Sequence, residues 1–166
     1  MIIEVSQQQL AQIYQHAENT YPEECCGLLL GYLQDDCKMV VEVWETKNCW
    51  TKETEIDLAE DVPLGSKLNR FSIAPEMMLK AQKESRSRNL NIIGVYHSHP
   101  QGKAIPSEID RAIAWEEYSY LIVALTTDQI LDTKSWVLDD ERVFQPEAII
   151  TIPSPSNEYT SVTPVA

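Results

Sequence analysis

Two of the three histidines in this chain, His97 and His99, stand one residue apart, and Pro100, Ser107 and Asp110 follow within the next eleven positions. The residues leading in, Asn91-Ile92-Ile93-Gly94-Val95-Tyr96, are mostly apolar and rich in β-branched types, which predicts a buried strand. Side chains at i and i+2 of a strand share a face. His97 and His99 are therefore expected to project together at the strand's end, where Pro100 stops the ladder. Neutral imidazole is a preferred zinc ligand, and two converging imidazoles plus a carboxylate leave a tetrahedral position open for water. An open position belongs to catalysis rather than to a structural metal. Ser107-x-x-Asp110 also fits a capping box at a helix start, in which the pair would only satisfy orphan amides. On a helix, positions i and i+3 share a face, so Asp110 can equally be the third ligand with Ser107 bordering the metal.

The elements that must position these groups read as follows. Ser6 precedes a polar run with Leu10, Ile13, Ala17 and Tyr21 at helical spacing, predicting an amphipathic helix over 6–20 that Tyr21-Pro22 ends. His16 on that helix is expected to be solvated or half-buried. Residues 25–33 and Met39–Trp44 read as strands joined by the polar turn Gln34-Asp35-Asp36, an antiparallel hairpin. From Asn48 to Asn69 periodicity is lost and acids accumulate, which predicts either a binding element or lid, or a solvated surface insertion. Arg70–Ile73 is a candidate short strand, and Pro75 opens a helix through about Arg88. A third helix starts at Pro106-Ser107. Strands are expected at 120–126, 135–138, 142–144 and 148–152. The tail from Pro153, rich in proline, serine and threonine, is expected to be disordered, giving one domain over 1–152 and a tail over 153–166.

The chain's 166 residues suffice for one domain with a real core. Its formal charge of −13, from 26 acids against 13 bases, would repel a phosphate backbone or an anionic bilayer, which argues against nucleic-acid and membrane partners. Met1–Ser6 has no basic region and reaches Glu4 too early for a signal peptide, and no apolar run approaches the roughly 20 residues of a membrane span. The expected compartment is the cytoplasm. The four cysteines, Cys25, Cys26, Cys37 and Cys49, include an adjacent pair within an apolar strand and no Cys-x-x-Cys. They are expected to be reduced and structural rather than metal ligands.

The spacing His97-x-His99-Pro100, then Ser107-x-x-Asp110, resembles the JAMM motif of the MPN (Mov34/PAD-1) metalloprotease family. The upstream run Pro22-Glu23-Glu24-Cys25-Cys26-Gly27-Leu28-Leu29-Leu30-Gly31 is similar to that family's Glu-x-Cys-Gly strand, particularly in its compact prokaryotic members. The order of elements and the Asn48…Arg70-Phe71 segment fit as well, so the resemblance covers roughly residues 1 to 150. It implies an α/β fold, a mixed sheet flanked by helices, related to the cytidine-deaminase architecture. A zinc deaminase would show His-x-Glu followed by Pro-Cys-x-x-Cys, and the chain has no Pro-Cys-x-x-Cys.

By that resemblance His97, His99 and Asp110 bind one Zn²⁺ per chain, with water as fourth ligand. Glu24, three residues before Gly27, is the general base, with Glu23 its near competitor on the opposite face. Ser107 would hydrogen-bond the tetrahedral oxyanion. The implied activity is a zinc-dependent (iso)peptidase cutting after the C-terminal Gly-Gly of a ubiquitin-like or sulfur-carrier protein. The alternative is a catalytically inactive MPN scaffold, a class that typically loses the ligands retained here.

Overall fold

A computed structural model describes residues 1–55 and 63–154. In chain order the elements are β1 (Ile2–Ser6), α1 (Gln7–Thr20), β2 (Cys26–Gln34), β3 (Cys37–Thr46), a single 3₁₀ turn (Lys52–Thr54), α2 (Pro75–Ser87), β4 (Asn91–Pro100), α3 (Glu108–Ile113), β5 (Ser119–Leu125), β6 (Ile130–Leu138) and β7 (Phe144–Ile152). The expected tail lies mostly outside the described residues, as does 56–62 of the acidic insertion.

The strands form one mixed sheet in the order β1-β3-β2-β4-β5-β6-β7, and the sheet closes on itself. Closure comes from β1, which lies parallel to β3 on one side and to β7 on the other, with Ile2 opposite Ala148 and Ser6 opposite Ile152. The 2–6 segment was not expected as a strand, although Ile2-Ile3-x-Val5 carries the β-branched signal; the polar helix start after it masks so short a run. β2 and β3 form the expected antiparallel hairpin, with Asp35 left-handed in its turn. β2 also pairs antiparallel with β4, and β4 parallel with β5.

Helices cover both faces. α1, capped by Ser6 in a full capping box with Gln9, buries Ile13 and Ala17 in a cluster with Ile3, Leu29 and Tyr96. α2 brings Ala81 to a second cluster with Leu28, Leu30 and Val95. β2 and β4 therefore contribute alternate residues to two cores, which is why they read as nearly continuous apolar runs. Gly27 admits Tyr96 where any Cβ would collide with its ring.

Two expectations about strands need correction. Arg70–Ile73 joins no ladder: among the described residues one backbone bond, Cys49 N to Ser72 O at 2.8 Å, and the Asn48 side chain hold it instead. Residues 142–144 and 148–152 are not separate strands. Arg142 sits left-handed in the turn after β6, and β7 runs unbroken through Pro146. Pro146 is tolerated because β7 there pairs only with β6, before it passes to β1 at Ala148. β6 also begins earlier than expected, at Ile130.

Candidate active site

β4 delivers His97 and His99 at its C-terminal end, opposite Ile122 and Ala124 of the parallel β5. The chain between these strands passes through α3, whose N-terminus faces back toward the end of β4. Ser107 is its N-cap: Ser107 Oγ accepts from Asp110 N at 3.1 Å, and Asp110 Oδ2 accepts from Ser107 N at 2.7 Å. The capping box is thus real. It does not exclude the functional role, because a hydroxyl that accepts one hydrogen bond still has its O–H to donate, and Ser107 is exposed.

The three sequence-expected ligands converge. Ligand atoms of His97, His99 and Asp110 all lie within 4.8 Å of one another. His97 Nε2 and His99 Nε2 are 3.1 Å apart, and Asp110 reaches each of them at 3.3 Å, through Oδ1 and Oδ2 respectively. A tetrahedral zinc with arms of about 2.0–2.2 Å separates neighbouring ligand atoms by about 3.3–3.6 Å. The donor set therefore fits such an ion in both chemistry and spacing. The tautomer fits too: His99 Nδ1 donates to Lys103 O at 2.7 Å, which leaves Nε2 with its lone pair. Among the described residues His97 Nδ1 is buried without a protein partner, and its ring stacks on Phe71 at 4.6 Å.

Charges inside this cluster are set by burial and by one another. Burial pushes the Asp110 carboxyl up, but His97 and His99 outweigh it and hold the group well below the usual carboxylate range. Burial lowers His97. Burial also works against protonation of His99, where the Asp110 hydrogen bond and charge prevail and raise it.

Glu24 lies two residues before β2 and is buried, whereas Glu23 is exposed. Glu24 Oε1 stands 3.9 Å from His99 Nε2. Burial raises its carboxyl to about 8, helped by Asp110 and opposed by His99 and Arg70. Its position is fixed from the neighbouring residue: Cys25 N donates to Ser98 Oγ at 2.7 Å and Ser98 N to Cys25 O at 3.1 Å, locking the start of β2 onto β4 between the two histidines. Ser98 had no expected role; its only sequence signal is its place between the two histidines. All four cysteines are free, and burial pushes Cys25 and Cys26 up to about 12, so neither is a thiolate nucleophile. His16 is half-buried as expected, with Nδ1 2.8 Å from Tyr96 Oη.

The described part of the acidic insertion is tied to the site. Arg70, itself buried, pairs with Glu55 at 3.0 Å and donates to Pro63 O at 3.2 Å. Trp50 and Glu55 join Phe71, Ile73, Met78 and Trp115 in lining a largely apolar cavity of about 260 Å³, which borders the site through the Phe71 ring stacked on His97. A larger cavity of about 1040 Å³, near Lys38 and Leu138, opens at the other end of the barrel, away from the ligand set.

A mixed α/β fold with a His-His-Asp cluster at the end of β4 defines a class. The family of prokaryotic homologues of the JAB domain matches residues 6–139, and the chain belongs to it. It is 30% identical to the desampylase of Pyrococcus furiosus over 73 residues, 43% of this chain and 49% of that protein, and so spans about half of that relative's length. It is 27% identical to the desampylase of Haloferax volcanii over 122 residues, 73% of this chain and 75% of that one. Among solved structures, protein DSY2949 of Desulfitobacterium hafniense matches with a TM-score of 0.73 and 28% identity, covering 92% of this chain and 94% of that one. Among the described residues no helix is long and apolar enough to cross a membrane.

Proposed function

We propose that this protein is a zinc-dependent (iso)peptidase that hydrolyses the bond after the C-terminal Gly-Gly of a ubiquitin-like or sulfur-carrier protein. The observation that carries this reading is the buried Glu24 carboxylate, 3.9 Å from a histidine of the converging His97-His99-Asp110 set. A zinc ion held there would supply Lewis acidity, lowering the pKa of water from about 15.7 toward 7. Glu24 takes the proton from water at its carboxylate and hands it to the leaving amine nitrogen. Ser107 donates its free O–H to the carbonyl oxygen as that oxygen becomes an oxyanion. Glycine suits the scissile end because the backbone must approach Glu24 and Ser107 closely. The apolar cavity beside Phe71 and Trp50 provides a wall for the substrate tail, and the insertion's acids a surface for a basic carrier.

Residues 1–152 form the metallopeptidase domain in this reading, the mixed sheet belongs to the cytidine-deaminase type of architecture, and the protein works in the cytoplasm. The family match and the desampylase relatives support the substrate class. An inactive scaffold has no observation in its favour, since every ligand position is filled. The test is incubation with Gly-Gly-ended carrier fusions, with and without chelator, read by mass spectrometry. Chelator-sensitive cleavage after Gly-Gly is expected, lost in Glu24→Gln with metal retained and little changed in Glu23→Gln. Equal hydrolysis of generic peptides lacking Gly-Gly would overturn the specificity, and exchanged phenotypes of the two glutamates would overturn the base assignment.

A further inference from the structure

Neither Glu24 nor the Arg70–Ser72 segment belongs to a β-ladder, yet each presents a group to the metal cluster. Glu24 brings its carboxylate, and Phe71 brings the ring that stacks on His97 with an interplanar angle of 27°. One buried side chain ties both segments together. Asn48, just past the end of β3, donates from Nδ2 to Glu24 O at 3.0 Å and to Arg70 O at 2.9 Å. Its Oδ1 accepts from Trp50 N at 3.1 Å and from Ser72 N at 3.2 Å. A primary amide offers two donors and two acceptor lone pairs, and all four are used. The two carbonyls flank the base and the Phe71 wall, so a displacement of Asn48 moves both.

We infer that Asn48 is a positioning residue of this site, its amide setting the backbone of Glu24 against His99 and the backbone of Phe71 against His97. Among the described residues the remaining backbone ties of these segments are few: Glu24 N to Lys67 O at 2.8 Å and Cys49 N to Ser72 O at 2.8 Å. Aspartate would fill the same volume and keep the Oδ acceptor for Trp50 and Ser72. It would lose both donors and set a carboxylate oxygen against the two carbonyls. Asn48→Asp therefore separates the arm that holds Glu24 from the arm that holds Ser72, while Asn48→Ala removes both.

The inference rests on the proposed function for its kinetic readout and on backbone protection for a readout independent of activity. In Asn48→Asp, turnover is expected to fall by about 10- to 100-fold, the scale of a misplaced catalytic group. KM should stay within about threefold, and metal content should be unchanged. In the Glu24→Gln background the same substitution should cost less than in the wild type, because the part that passes through Glu24 is already lost and only the Arg70 O tie to the Phe71 wall remains. Amide exchange on the full-length protein should show Glu24, whose N–H donates to Lys67 O, losing at least about tenfold protection as its freed carbonyl lets the segment fray, while Trp50, Ser72 and β4 keep theirs. In Asn48→Ala, Trp50 and Ser72 should be released as well. An equal loss of turnover in both backgrounds, or a Glu24 amide as protected in Asn48→Asp as in the wild type, overturns the inference. A wild-type protein that cleaves nothing refutes the proposed function instead, and the exchange pattern still decides the role of Asn48.

Discussion

Replacing Ser107 with alanine removes two things the structure keeps separate: the Oγ acceptor that caps Asp110 N at 3.1 Å, and the O–H left over to donate. Loss of a serine N-cap costs about 0.5–2 kcal/mol of stability. α3 has only six residues, and its N3 position is a candidate metal ligand. Part of that cost should therefore surface as mobility of Asp110, whose Oδ2 is shared between Ser107 N and the His99 side. If about 1 kcal/mol is transmitted, the metal binds roughly fivefold more weakly. The donor's loss is larger: an oxyanion donor is worth about 2.7–4 kcal/mol, or two to three orders of magnitude in turnover. Ser107→Asn divides the two effects, since asparagine caps as well as serine and carries an N–H donor; it should keep wild-type stability and recover part of the activity. The assay is turnover on a Gly-Gly-ended fusion, normalised to folded, metal-loaded protein, beside denaturant midpoints and zinc affinity for each variant. Wild-type turnover in Ser107→Ala after that normalisation would refute the oxyanion role and leave the cap alone.

Zinc should raise the melting temperature of the wild type, with one ion bound per chain; at a free concentration a hundredfold above Kd the gain is about 2.7 kcal/mol. His97→Ala and Asp110→Ala should abolish both effects, and an unchanged zinc shift in Asp110→Ala would remove that residue from the ligand set. Metal-free protein should lose stability as pH rises, because the Glu24 carboxyl holds its proton to about 8 in the fold against 4.5 for an unperturbed glutamate. That contribution is complete below the unfolded value and drains away through 8, by about 2–3 kcal/mol between pH 6 and pH 9. A Glu24→Gln protein with the same pH slope as the wild type would contradict it. Lys38 is buried, donates to Ser119 Oγ at 3.0 Å and has its ammonium disfavoured by burial. Its opposing charge is the buried Glu147, so Lys38→Met strands that carboxylate and should lower the denaturation midpoint, and an equal or higher midpoint would show that burying the lysine costs more than Glu147 returns.

The sequence by itself named the groups that converge at the candidate site and most of the secondary structure around them. His-x-His on a β-branched strand and Ser-x-x-Asp at a helix start are local statements, because a strand's period of two and a helix's i, i+3 spacing follow from backbone geometry alone. Glu24 is buried and Glu23 exposed, but both lie ahead of β2, so packing and not strand alternation separates them. Closure of the sheet was not legible, since it depends on pairing β1 with β7 across nearly the whole chain. Nor was the fate of Arg70–Ile73, whose extended pattern found a side-chain amide instead of a neighbouring strand. Whether Ser107 caps or donates could not be read as one or the other, because a hydroxyl that accepts from Asp110 N still has its O–H free to donate. Tertiary structure decided what converges: a carboxylate from the run-in to β2, two imidazoles from β4, an aspartate from α3 and a stacked ring from an unladdered loop meet because long-range pairing brings four separate segments to one end of β4. Local periodicity orients a side chain about its own segment, and only the packing of segments sets its distance from another.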